Sequence, residues 1–395
     1  MTILSALPPQ PEDKIIAVMG QFAADPRPEK LDLGVGVYRD DAGQTPILRA
    51  VKAAESANQA EETSKSYNRL IGDAGYLEAV EKLVLAEAHD PARVTSSQTP
   101  GGTGALRCLF ELVMLANADA TVWLPEPTWP NHIAILSYLG IKTRTAPYYD
   151  HANGQADVEA FLAGLGGVKP GDVVLLHGAC HNPTGADPSP EGWQAIAEHA
   201  STHGWVPLID LAYHGLGDGL NEDAQGVRLL AQKLPEVLIA VSFSKTFGLY
   251  RDRAGAALAI TQRKSHGVTE DTLSAINRLA YSFAPHPAAA IVRRILTSPD
   301  LRHDWEAELG EMRGRMSGLR SSLSDALRLA TNTDLFEAVA TQRGMFSQLP
   351  IDPRSVSRLR AEFGIYMVGD GRINIAGLTE EAIPRFSRAV ATVCR

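Results

Sequence analysis

"LIAVSFSKTFGLYRDRAG", Leu238 to Gly255, begins as an apolar run of strand length and then sets Ser242, Ser244 and Lys245 where that strand runs out. Arg251, Asp252 and Arg253 follow within a few residues. A lysine just behind an interior strand is desolvated, and a nearby arginine adds like charge. Both effects disfavour the ammonium and leave an amine able to attack a carbonyl. The commoner fate of a lysine is to snorkel its charge into solvent, so this stretch alone leaves both readings open.

Working outward, apolar runs of the same length recur in "ATVWLP", "GDVVLLHG", "WVPLIDLAY" and "GAALAI". Between several of them lie stretches with helical spacing, such as "TGALRCLFELVMLA" and "PEGWQAIAEHASTHG". Strands alternating with helices predict an α/β fold with a mostly parallel sheet between helices. From about Leu301 the texture changes to a long charged amphipathic stretch, then "GMFSQLP", "SRLRAEFGIYMVG", "GRINIAGL" and a last helical pattern. We read residues 46–300 as a large domain, and residues 1–45 with 301–395 as a smaller α+β domain joined through Gly36.

The chain has 395 residues, 45% of them hydrophobic, enough to bury a large core. Its 37 Lys and Arg against 46 Asp and Glu give a net charge of −9, with no basic block. Nucleic acid and anionic membranes are bound through clustered Lys and Arg and are not expected partners. Cys108, Cys180 and Cys394 are far apart and odd in number, which predicts free thiols in a reducing compartment. The opening "MTILSALPPQPEDK" lacks the basic n-region of a signal peptide, and no apolar run reaches the ~18 residues of a membrane span. A cytoplasmic protein is expected.

In an open α/β sheet, ligands bind beyond the carboxyl ends of the strands, and four motifs compete for that position. "TPGGTGALRCLF" puts Gly101, Gly102, Thr103 and Gly104 at the start of a helical pattern, where backbone N–H groups and the helix dipole favour an anion. Taken alone, it reads first as an ordinary glycine-rich turn. It is not a P-loop, and "LGVGVYRDDAG" lacks the third glycine of a dinucleotide fingerprint. "LLHGACHNPTGADP" holds His177, Cys180 and His181, but no second Cys/His cluster completes a metal shell, so no metal is expected. Its Asn182-Pro183 reads as a strained turn aiming the Asn182 amide into a site. "WVPLIDLAYHGLG" ends an apolar strand on Asp210, with Tyr213 three residues on. That carboxylate is either a helix cap or a buried anion facing a cation. Together the four motifs describe one ligand: an aldehyde for Lys245, a phosphate for the glycine turn with Ser242 and Arg253, and a basic ring nitrogen for Asp210. Pyridoxal 5′-phosphate has these three handles.

The chain resembles the class I, fold-type I pyridoxal-phosphate aminotransferases, in the aspartate/aromatic-amino-acid branch. "LDLGVGVYRD", "TPGGTGALR", "PTWPNH", "HGACHNPTG", "IDLAYHG", "SFSKTFGLYRDRAG", "YSF" and "GRINIAGL" occur in the family's order, nearly end to end. The resemblance implies that Lys245 is the Schiff-base lysine and the acid/base that moves the proton between the substrate Cα and the cofactor's C4′. It implies Asp210 at the pyridine nitrogen, supported by His177, and Tyr213 with Asn182 at the phenolic oxygen. Trp129 would stack on the ring, beside a cis Glu126-Pro127. Gly102, Thr103, Ser242 and Arg253 would form the phosphate cup, with Tyr67 reaching the phosphate of the neighbouring subunit. Arg372 would hold the substrate α-carboxylate as a bidentate pair, and Gly36 and Phe346 would line the pocket. Arg278, in "INRLAYSFAP", matches the family's arginine for a distal carboxylate. The chain departs from its relatives at Thr246, where Asn is common, and at Arg69 and Phe283, near the pocket mouth. These differences bear on the distal end of the substrate.

The implied protein is a homodimer with shared sites, taking small amino acids and 2-oxoacids. The implied activity moves the amino group of aromatic amino acids and of aspartate to 2-oxoglutarate, through a pyridoxamine phosphate form. The alternative is a strict aspartate aminotransferase.

Overall fold

Seven stretches form the central sheet: β1 (Val94–Pro100), β2 (Thr121–Glu126), β3 (Lys142–Pro147), β4 (Val173–His177), β5 (Val206–Leu211), β6 (Val237–Ser242) and β7 (Ala254–Ile260). β4, β6 and β7 are buried at every position, as apolar strands covered on both faces must be. The spatial order is β1-β7-β6-β5-β4-β2-β3. All neighbours are parallel except β7, which runs against both β1 and β6. This is a computed structural model, and it describes residues 2–9 and 14–394, Lys14 through its backbone alone. The outermost residues of the expected small domain, Met1 and Arg395, and residues 10–13 of the opening segment lie outside the described residues.

The topology decides where chemistry can gather. The carboxyl ends of β1, β2, β4, β5 and β6 share one edge. Because β7 is reversed, its amino end and the Arg253 before it arrive at that same edge. The register pairs Ala254 with Pro100 and Gly255 with Ser242, so Arg253 meets both the start of the 101–116 helix and the end of β6.

Local chemistry marks the helix ends. Ser189 caps Pro190–His203 by accepting the Gly192 N–H, with Pro190 opening the first turn and Gly204 closing the last at φ 72°. The 33-residue helix Pro299–Thr331 serves two cores. Trp305, Leu309, Met312 and Met316 pack into the core around the sheet. Leu319, Leu323 and Leu327 pack with Leu33, Leu359 and Phe386 in a second core. The N-terminal segment joins this second layer, where Leu31–Asp32 pairs in parallel with Ile365–Tyr366, while Phe346–Gln348 pairs antiparallel with Arg372–Asn374. Among the described residues no helix is long and apolar enough to cross a membrane, and Cys108, Cys180 and Cys394 are free.

Candidate active site

At the shared strand edge a cavity of about 230 Å³ is lined by residues of the sheet, of the N-terminal segment and of the Phe346–Gln348 and Arg372–Asn374 strands. β6 ends in Ser242, and the turn behind it delivers Ser244 and Lys245. β5 delivers Asp210 and, past its end, Tyr213. β4 delivers His177 and the loop bearing Asn182, while Trp129 follows β2. The paired strands Phe346–Gln348 and Arg372–Asn374 contribute Phe346 and Arg372, and the N-terminal segment Gly36. The fit is close, since a Cβ on Gly36 would stand 2.9 Å from the Phe346 ring.

Arg253 sits at φ 62°, a left-handed conformation that non-glycine residues rarely take. Its guanidinium donates to the Ser244 hydroxyl (3.2 Å) and to the Tyr250 carbonyl (2.9 Å). It lies so close to Gly101, at φ 73°, that a Cβ there would come within 2.4 Å of its Nη2. A Cβ on Gly102 would come 2.7 Å from that of Ser242. Glycine is therefore needed for the helix start to close on Ser242 and Arg253. Pro100 caps that helix without a side-chain acceptor, so its first-turn N–H groups are left for an anion.

Asp210 is buried beside His177, its partner in the β4–β5 register. Its Oδ2 accepts a hydrogen bond from His132 Nε2 at 3.0 Å. Burial pushes the carboxyl up, but the hydrogen bond and electrostatic pull of His132, with the charge of Lys245, outweigh it and hold Asp210 below the ordinary carboxylate range. The resemblance gives the support of Asp210 to His177, yet the direct bond comes from His132. His177 instead meets the Thr128 hydroxyl (3.2 Å) and the Asn182 N–H (3.4 Å). Burial drives His177 down to about 3, so its ring is neutral. His132 stands in the quoted "PTWPNH" without a role. Its signal was an imidazole on the buried side of a helix start.

Lys245 Nζ lies 5.1 Å from the centre of the Tyr213 ring. Burial lowers its amine to about 8; Asp210 opposes the shift, and Arg253 and Arg372 add to it. Burial also raises the Tyr213 phenol. Asn182 Nδ2 donates to the Tyr213 hydroxyl at 3.4 Å, and Arg372 Nη1 donates to Asn182 Oδ1 at 3.3 Å. Arg372 Nη2 donates to the Gly34 carbonyl (2.8 Å), its plane lies over Phe346 (4.5 Å), and its buried Nε has no partner. A buried guanidinium with an orphan donor suits a planar carboxylate. The Glu126-Pro127 and Asn182-Pro183 bonds are both cis.

Two expected site residues do not line this cavity. Tyr67 is 84% exposed and stacks on Phe283, ring centres 4.5 Å apart. Arg278 is exposed and donates to the Ser282 hydroxyl at 3.0 Å. Arg69, at the surface, pairs with Glu270. Thr246 departs from the expectation that it bears on the distal end of the substrate. It is fully buried, its hydroxyl donating to the His214 carbonyl and its carbonyl accepting from Trp305 Nε1, both at 2.9 Å.

Residues 28–390 match the family model described as aminotransferase class I and II. The chain is 48% identical to an aromatic-amino-acid aminotransferase of Paracoccus denitrificans, covering 99% of this chain and 100% of the relative. It is 38% identical to an aspartate aminotransferase of Escherichia coli K12, covering 97% and 98%. Its fold superposes with a TM-score of 0.96, at 38% identity and over 100% of both chains, on an aromatic-amino-acid aminotransferase from Burkholderia pseudomallei covalently bound to pyridoxal phosphate. A lysine, a buried carboxylate, an anion cradle and an orphan arginine converging on one strand edge agree with that match over almost the whole length: the chain belongs to the class I and II aminotransferases.

Proposed function

We propose that this protein is a pyridoxal-phosphate transaminase that moves the amino group of aromatic amino acids and of aspartate to 2-oxoglutarate. The observation that carries the reading is the single cavity in which Lys245 stands among Asp210, Arg253 and Arg372. The residues present fit the cofactor, because the uncapped helix start with Ser242 and Arg253 suits a phosphate and Asp210, with Oδ2 alone engaged by His132, suits a protonated ring nitrogen. Lys245 would hold it through its amine, Gly102 and Thr103 would complete the phosphate cup, and Trp129 would cover the ring. Asn182 and Tyr213 would face its phenolic oxygen.

When bound, pyridoxal phosphate supplies an electron sink for the charge left on the substrate Cα. The chain's own groups do the rest. Arg372 grips the substrate α-carboxylate, with Asn182 steadying the guanidinium. Lys245 Nζ, its pKa lowered by burial, takes the proton from Cα at near-neutral pH. Asp210, kept ionised by His132, favours positive charge across the ring. Gly36 and Phe346 bound the substrate's side.

The similarity to an aromatic-amino-acid aminotransferase at 48% and to an aspartate aminotransferase at 38% supports the dual range. Wild-type protein, assayed with 2-oxoglutarate as acceptor, is expected to transaminate phenylalanine and tyrosine as well as aspartate. Its visible band should bleach with amino acid and return with the 2-oxoacid. Activity confined to aspartate would leave a strict aspartate aminotransferase.

The amine of Lys245 gives a pH prediction. In cofactor-free protein its reaction with pyridoxal phosphate should quicken as pH rises through about 8 and then level off. Asp210 holds the amine's pKa up, so Asp210→Ala should move the midpoint to lower pH. Stopped-flow rates between pH 6 and 10 measure both, and an unmoved midpoint contradicts the coupling.

The reading extends to the whole chain. Residues 46–300 form the large domain, and 1–45 with 301–395 the small one, a division supported by the change of core along the 299–331 helix. The protein works in the cytoplasm as a homodimer, Tyr67 and Arg278 of each subunit serving the other's site. Their outward placement in the single chain supports that sharing.

A further inference from the structure

We propose that Asp187 is a positioning residue of the active site, holding Asn182 in place through the backbone of Cys180 and His181. The inference rests on the role read for Asn182 above. Asp187 Oδ2 accepts the Cys180 N–H at 2.7 Å and Oδ1 accepts the His181 N–H at 2.9 Å, so both carboxylate oxygens are spent on the two residues before Asn182. Cys180 needs that hold. It is a non-glycine residue at φ 55°, packed so tightly that a Cβ on Gly344 would come 2.3 Å from its own. Such a conformation persists only where the surroundings over-determine it, and what it aims is the Asn182 amide, between the Tyr213 hydroxyl and Arg372.

Asp187 itself does not reach the Lys245 cavity. It lines a separate one of about 620 Å³ behind the loop, with Asp218, Glu222, Asp223 and Arg343. There Asp223 does parallel work, its carboxylate accepting the N–H groups of Gly215, Gly217 and Asp218, just past Tyr213. Burial, with Asp223 adding to it, raises the Asp187 carboxyl to about 6, against the two N–H bonds and Arg343. The buried guanidinium of Arg320, from the long helix, feels the Asp187 charge as well, while its own N–H groups go to the Gly344 and Phe346 carbonyls. Only a carboxylate offers two acceptors at this reach. An amide offers one, and its NH₂ would oppose the other N–H.

The test uses Asp187→Asn, Asn182→Ala and their double variant as holoenzymes, reading the pH titration of the visible band. Asn182→Ala should raise the midpoint, Asp187→Asn should raise it by about one pH unit, and the double variant should go no further than Asn182→Ala alone. A wild-type midpoint in Asp187→Asn, or additive shifts in the double variant, overturns the proposal. A second measurement needs no cofactor: in the apo-protein, hydrogen exchange over residues 178–184 should quicken about tenfold in Asp187→Asn while β5 is unchanged. If Asn182→Ala leaves the midpoint unmoved, the reading of Asn182 fails, and exchange still decides whether Asp187 holds the loop. If Asp187→Asn does not fold, wild-type protein serves. Its Cys180 and His181 amides, corrected for intrinsic rates, should exchange at least about 100-fold slower than free peptide, and exchange near the free-peptide rate overturns the proposal.

Discussion

Lys245→Ala is expected to fold, to retain pyridoxal phosphate through the anion cradle and Asp210, and to lose amino-group transfer by at least about 10³-fold, since one amine carries both the attachment and the proton transfer. Folding should not suffer. The amine's pKa is lowered from 10.5 to about 8 by burial, so below pH 8 the folded state carries the full cost of a desolvated ammonium. Between about pH 8 and 10.5 the unfolded chain binds the extra proton, and wild-type stability rises with pH relative to the variant. At pH 7 the variant should therefore melt no lower than wild type, and its advantage should shrink toward pH 10.5. Calorimetry of the cofactor-free proteins across this range, and a coupled assay of the loaded ones with aspartate, test the two halves separately. Near-normal turnover would move the chemistry to another lysine.

Arg278→Ala should divide the substrates. A guanidinium facing a distal carboxylate supports a bidentate pair, and removing one partner of such a desolvated pair costs about 3 kcal/mol, roughly 150-fold in kcat/KM. Aspartate and glutamate should lose that much, and phenylalanine and tyrosine little, because a long flexible stem swings away from a ring. Equal losses on both classes would contradict the assignment. The same variant tests assembly. In its own chain Arg278 is exposed and donates to the Ser282 hydroxyl. Mixed with Lys245→Ala subunits under exchange, it should form hybrids in which one site of two has every wild-type group. About a quarter of wild-type aspartate activity should return at equal mixing. No recovery with exchange verified would mean that the sites are not shared.

Hydrophobic patterning and strand-end motifs carried much of this in the sequence. β2, β4, β5, β6 and β7 each stood out as apolar runs, and Lys245, Asp210, Asn182 and Arg253 lie within a few residues of such runs, where α/β chemistry is expected. β1 did not stand out. "VTSSQTP" is nearly all buried yet mostly polar. Its side chains are satisfied by distant partners: Asn277 donates to Ser97 (2.7 Å), Gln98 donates to the Pro285 carbonyl (2.7 Å), and Ser96 donates to Glu81. Burial achieved through long-range hydrogen bonds leaves no apolar period to read.

By itself the sequence determined the α/β class, the family and the chemical groups, because each is written in local composition and short motifs. Only the tertiary structure decided which groups meet. The reversal of β7 carries Arg253 to Gly101 and Ser242, more than 150 and about 10 residues away in the chain. It also decided that His132 rather than His177 bonds Asp210, that Thr246 is tied into the interior, and that Asp187 grips the loop before Asn182. These are pairings across loops and strands, and their strength depends on distances of a few tenths of an ångström that local sequence does not encode.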